Sequence, residues 1–170
     1  MQRISKEQGR ARSAIGGLKW DTDVDWTGLV AAGDVDTVLR QLNARTRFRF
    51  TGLYRVDPPL LHNLHLYDRE NPELNLAGEC SVLVDTYCAL IADDACPFTT
   101  ADSSTDLRLV MHGARESVRS YCGVPIRSAG GLVWGTLCHY DVRPRLAPRV
   151  ELATLEHVAT LLAVRLVPRA

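Results

Sequence analysis

Apolar residues recur with a helical period on either side of the middle of this 170-residue chain and with a strand period within it. After Asp34, placed to cap a helix, Val35, Val38, Leu39 and Leu42 fall on one helical face. Near the other end Leu152, Leu155, Ala159, Leu162 and Leu166 repeat at alternating steps of three and four, up to Pro168, which stops a helix. Between them, Phe48, Phe50 and Tyr54 alternate with Arg49, Thr51 and Arg55, the spacing of a strand. Asp57-Pro58-Pro59 then predicts a turn, and Leu60 to Tyr67 a returning strand. Ser120 to Ile126 and Leu132 to Tyr140 form a second strand pair joined by Ser128-Ala129-Gly130-Gly131, whose glycines supply the positive φ of a tight turn. Hairpin-linked strands between flanking helices predict an antiparallel sheet in an α+β sandwich.

The intervening stretch is less regular. Val84, Tyr87, Cys88 and Ile91 predict an apolar helix with Ser81 near its start, and Pro97 to Thr100 a short strand. Residues 101 to 117 are polar and mixed, read as loop plus a short helix from Leu107 to His112. Residues 1 to 24 hold scattered glycines and charges without sustained periodicity, and are expected to form a loose arm or frayed helix. The domain proper is then 25 to 170.

Lys+Arg and Asp+Glu number 20 each. This balance argues against nucleic acid or an anionic membrane surface as the main partner, since both select a basic face. No apolar run approaches the roughly 20 residues that cross a bilayer, and the first residues lack the pattern of a secretory signal, so a cytoplasmic location is expected. Five cysteines, none in a Cys-x-x-Cys pair, predict neither a disulfide scaffold nor a zinc site.

The stretch Ser120-Tyr121-Cys122-Gly123-Val124-Pro125-Ile126, the glycine turn, and Trp134-Gly135-Thr136-Leu137-Cys138-His139-Tyr140-Asp141 together resemble the C-terminal half of a GAF domain. Asp85 to Ile91, then Pro97 to Thr100 and Asp102, are similar to that family's middle helix and third strand. The resemblance covers about residues 25 to 167. It implies a GAF-like (profilin- or PAS-like) central antiparallel sheet of five to six strands. The terminal helices would cover one face and the roof of a ligand pocket the other. It also implies a single-domain sensory module that binds a small molecule and acts through a partner or as a homodimer. The resemblance names no cofactor.

Candidate pocket residues follow from that roof. Asp102, Arg108, His112 and Arg115 lie in the polar segment, where a guanidinium could pair with an anionic ligand. Tyr54, Phe98, Tyr121 and Trp134 could form aromatic walls, against the plainer reading of core packing. His112 and His139 have no second ligand at a recognisable spacing, so no metal is expected. Met111-His112 stands where bilin-binding relatives carry Cys-His, which removes the attachment thiol. Free methionine-R-sulfoxide reductases are also stand-alone GAF-type domains, and here Cys80 precedes the middle helix, Cys88 lies on it and Cys96 follows it. Their cysteine in a Gly-His-Ile-Ala-Cys-Asp loop is missing, and Cys122 sits within a strand. A thiol enzyme is therefore the alternative to a sensor, distinguished by whether two thiols stand together at the mouth of a pocket, and a structural dimerisation module is the second alternative. Val150, Val158, Leu161 and Val164 lie off the main face of the last helix, which suggests either a helical dimer contact or a deeper core.

Overall fold

The computed structural model describes residues 24–74 and 76–168. The arm expected over residues 1 to 24 lies, apart from Val24, outside the described residues. In chain order the elements are α1 (Trp26–Ala32), α2 (Val35–Ala44), β1 (Phe50–Asp57), β2 (Leu60–Asp68), β3 (Cys80–Val82), α3 (Cys88–Asp94), β4 (Phe98–Thr100), β5 (Ser120–Arg127), β6 (Val133–Asp141) and α4 (Arg149–Leu166). The strands form one six-stranded antiparallel sheet in the order β3-β2-β1-β6-β5-β4.

Two helix starts are set by aspartates. Asp34 accepts from the Thr37 amide at 3.0 Å, as the sequence predicts, and Asp25 accepts from the Gly28 amide at 2.9 Å. Each satisfies one of the four amides that a helix N-terminus leaves without a partner. Helix α1 is short and escaped the periodicity reading, which needs more than two turns.

Helices α1, α2 and α4 cover one face of the sheet. Val38, Leu39, Leu42, Leu155, Val158 and Leu162 pack there against Leu53, Val124, Ile126 and Leu137. Of the four residues off the main stripe of α4, Val158 is fully buried and Leu161 packs partly into this core. The deeper core therefore accounts for two of them, while Val150 and Val164 are exposed. A polar chain threads this apolar layer. Glu151, fully buried in the first turn of α4, meets Arg45 Nε at 3.3 Å and His139 Nε2 at 3.2 Å. His139 Nδ1 lies 2.7 Å from Thr51 Oγ1, which accepts from Asn43 Nδ2 at 2.8 Å.

The opposite face carries shorter elements. The helix expected from Ser81 onward instead starts at Cys88. Residues 80–82 pair with β2, and the Leu83 amide donates to the Pro59 carbonyl, so this backbone is committed to the sheet edge. One 3₁₀ turn, Leu83–Asp85, joins it to α3, and Val84 points outward, 70% exposed. The helix expected over Leu107–His112 is a single 3₁₀ turn, Leu107–Leu109, capped by Asp106, and a second turn, Gly113–Arg115, follows it, capped by His112. Local side-chain caps of this kind compete with a continuous helix.

Candidate functional site

Between this irregular layer and the sheet lies a cleft of about 250 Å³. Its floor comes from alternate positions on neighbouring strands: Tyr54 on β1, Tyr121 on β5, and Cys138 and Tyr140 on β6. Its roof comes from Asp85 to Cys88 and from Ala114, Ser117 and Val118. The strand period of two places Cys138 and Tyr140 on this side and Leu137 and His139 among the helices.

Two glycines let the floor tyrosines lie flat. A Cβ at Gly52 would strike the Tyr54 ring, and one at Gly123 would strike the Tyr121 ring. Each ring thus folds back over the glycine two residues before or after it on the same strand. The polar tips then converge. Tyr54 and Tyr140 hydroxyls are 3.2 Å apart, and Cys88 Sγ lies 3.3 Å from the Tyr121 hydroxyl. Thr136 Oγ1 donates to Cys88 Sγ at 3.2 Å, and Tyr87 donates to the Val118 carbonyl at 3.1 Å. Cys88 and Cys138 both line the cleft, and both thiols are buried.

The electrostatics follow from that enclosure. Burial pushes the Tyr54, Tyr121 and Tyr140 phenols above their ordinary value, so they stay neutral donors. Cys88 is pulled below the ordinary thiol value by hydrogen bonds, the one with Cys138 first, while burial raises Cys138. If one thiol of the pair ionises, it is Cys88. Cys122, on the helix face, is raised to about 12 by burial and is inert.

Tyr54 and Tyr121, expected as walls, line the cleft. Phe98 packs behind it, with ring centroids 5.8 Å from Tyr87 and 6.2 Å from Tyr121. Trp134 does not line it: Ile126 pairs with Gly135 and Arg127 with Val133, so Trp134 is the extra residue of a bulge, turned against the helix-side core. The charged candidates also face elsewhere. Arg108 bonds Asp106 at 2.6 Å and the Thr99 carbonyl at 2.8 Å, and stacks on the outer side of Phe98. Arg115 donates to the Ser103 carbonyl at 3.2 Å, and Asp102 pairs with Arg119 at 2.8 Å. His112 accepts from the Ala114 amide and rests on Tyr87, where burial holds its pKa below the ordinary value. These four residues build the loop rather than point into the cleft.

Sequence reasoning missed Tyr87, Cys138 and Tyr140. The alternation of Leu137-Cys138-His139-Tyr140 carried the signal for the last two, since a fully buried strand between two layers shows both faces as sites. Among the described residues, no group of three or more metal-ligating side chains is arranged to hold an ion. No helix among the described residues is long and apolar enough to cross a membrane.

The family model for the GAF domain matches residues 35–166. The chain belongs to the GAF domain family. The fold agrees. The GAF domain of an Acinetobacter phosphoenolpyruvate-protein phosphotransferase superposes with a TM-score of 0.63 at 16% identity, covering 84% of this chain and 82% of that one. Type II free methionine-R-sulfoxide reductase from Thermoplasma acidophilum gives 0.59 at 16% identity, over 82% and 94% of the two chains. The Neisseria meningitidis free methionine-R-sulfoxide reductase, solved in complex with its substrate, gives 0.59 at 19% identity, over 83% and 77%. No curated protein matches the sequence. At these identities the likeness is one of fold, shared by sensory modules and enzymes alike.

Proposed function

We propose that this GAF domain is a regulatory module that binds a small molecule in the Tyr54–Tyr121–Tyr140 cleft and signals through a partner or a second copy. The observation that carries this reading is the convergence of neutral phenols on one concave, largely apolar space. Pockets for drug-sized ligands run to roughly 300–1,000 Å³, so this cleft suits a smaller metabolite. Its ligand is neutral or cationic. Arg108, Arg115 and Arg119 are bound within the loop, and the charged side chain at the rim is Asp85. Burying an anion there without a cation would be costly.

The test is a thermal-shift screen of the reduced protein against neutral and amine metabolites. A ligand at 100 times its dissociation constant adds about 2.7 kcal/mol, several degrees at this size. The shift should vanish in Ala114→Leu, which fills the cleft. A hit that survives this variant, or a screen without hits, overturns the assignment.

A second reading is favoured by Cys88 and Cys138, two thiols that both line the cleft. In that case methionine sulfoxide is reduced in the presence of a dithiol, and Cys88→Ser abolishes turnover. Absence of turnover by the wild type rejects it.

A further inference from the structure

Away from the cleft, a second chemical constellation crosses the exposed end of the sheet. Cys80 on β3 pairs with His62 on β2, which pairs with Arg55 on β1. Val56 and Leu61 belong to the cleft-side cluster. By strand alternation Arg55, Asp57, His62 and Cys80 therefore lie on the other face. Cys80 is exposed, and its Sγ lies 3.2 Å from His62 Nδ1. His62 Nε2 lies 3.5 Å from Asp57 Oδ2, and Arg55 donates to that same oxygen at 2.8 Å. The imidazole thus stands between thiol and carboxylate, one nitrogen to each. The three groups address one another rather than a common centre, which is the order of a nucleophile, its base and the group that orients the base.

We propose that Cys80 is the nucleophile of a surface thiol-exchange site that takes up low-molecular-weight disulfides. His62 serves as proton acceptor, and Asp57, held by Arg55, is its positioning residue. With Nε2–H directed at Asp57, Nδ1 is free to accept the thiol proton. The Cys80 sulfur attacks one sulfur of a disulfide RSSR, and a Cys80–SR bond forms as the S–S bond breaks. The electron pair of that bond leaves on RS⁻, which takes the proton back from His62 and departs as RSH. The exchange conserves electrons overall and is reversed by excess thiol. It is independent of the cleft and of any ligand there.

Cys96, also exposed, sits by the opposite edge strand and provides an internal reference. The experiment follows release of a chromogenic aryl thiol from its disulfide at pH 7, using the folded full chain. Cys96→Ser, which leaves Cys80 as the exposed thiol, is expected to react at least about tenfold faster than Cys80→Ser, a threshold set below the roughly 10²–10⁴-fold of full general acid–base assistance. His62→Ala should fall to the Cys96 rate and recover when free imidazole is added. Asp57→Asn should fall part of the way. Oxidised glutathione should leave its adduct on Cys80 by peptide mass, and Cys122→Ser, at a thiol buried on the helix side, should change none of these rates. A Cys80 no faster than Cys96, a His62→Ala variant of unchanged rate, or failure of imidazole to restore it overturns the proposal.

Discussion

Removing the Glu151 carboxylate is the sharpest test of how α4 is fixed to the sheet. Glu151 and the His139 ring are both fully buried, and Arg45 is nearly so. Breaking a buried ion pair by deleting one member costs about 3–5 kcal/mol, because the remaining polar groups lose their partner without regaining water. The contacts here, 3.2 and 3.3 Å, are longer than the roughly 2.7–2.9 Å of tight charge-assisted bonds, and Arg45 also reaches Thr154 Oγ1 at 3.4 Å. The lower end, about 3 kcal/mol, is therefore expected for Glu151→Leu. Against a total of about 5–15 kcal/mol that is a large fraction. With a urea slope of about 2 kcal/mol/M, the midpoint falls by about 1.5 M. Far-UV circular dichroism and tryptophan fluorescence are suitable probes, since Trp26 and Trp134 both pack on this face. Glu151→Gln keeps the shape and one hydrogen bond, and should lose about half as much. The double variant Glu151→Leu/His139→Leu should lose less than the sum of its single variants, because the second change removes the group that the first left without its carboxylate. A loss below about 1 kcal/mol for Glu151→Leu, or strict additivity in the double variant, refutes the assignment of this network as the clamp.

Local geometry sets three further outcomes. Asp68 is buried and held at a pKa of about 2 against an ordinary 3.8, first by its hydrogen bond with Arg49 at 2.7 Å. A depressed carboxyl stabilises the fold above its unfolded pKa and loses that contribution as pH falls through the folded one. The wild type should therefore lose up to about 2 kcal/mol between about pH 4 and 2 relative to Asp68→Asn, measured by urea melts across that range. Gly135→Ala would drive a Cβ into the Tyr54 backbone carbonyl and should cost about 1–3 kcal/mol or more in a thermal melt. Gly123→Ala meets only the movable Tyr121 ring, so it should cost less stability but change ligand binding in the cleft.

The helical stripes at residues 35–42 and 152–166 and the glycine-linked hairpin were legible because each signal is local: period, cap and turn lie within one element. The middle layer was not. Ser81 to Ile91 reads as a helix until β2 claims Ser81 and Val82, a pairing that depends on partners about 20 residues away. The same limit explains the charged candidates. Arg108 and Arg115 were the right residue types for an anion pocket, but Asp106 and the carbonyls of Thr99 and Ser103 satisfy them within the loop. Trp134 turned on a bulge, a register shift of one residue that moves a side chain to the other face. A one-residue shift leaves no mark in hydrophobicity when both faces of the strand are buried.

That double burial makes β6 the strand on which the two faces of the domain can be separated experimentally. Leu137 and His139 belong to the helix side, and Cys138 and Tyr140 to the cleft, so substitutions one residue apart report on different things. His139 contacts the α4 clamp and Tyr140 contacts Tyr54 across the cleft floor. Changing the first should move stability, and changing the second should move recognition, because burial on opposite faces leaves little surface in common. Where a substitution at Tyr140 also shifts stability, the size of that shift measures how far the cleft and the clamp share the rigidity of one strand.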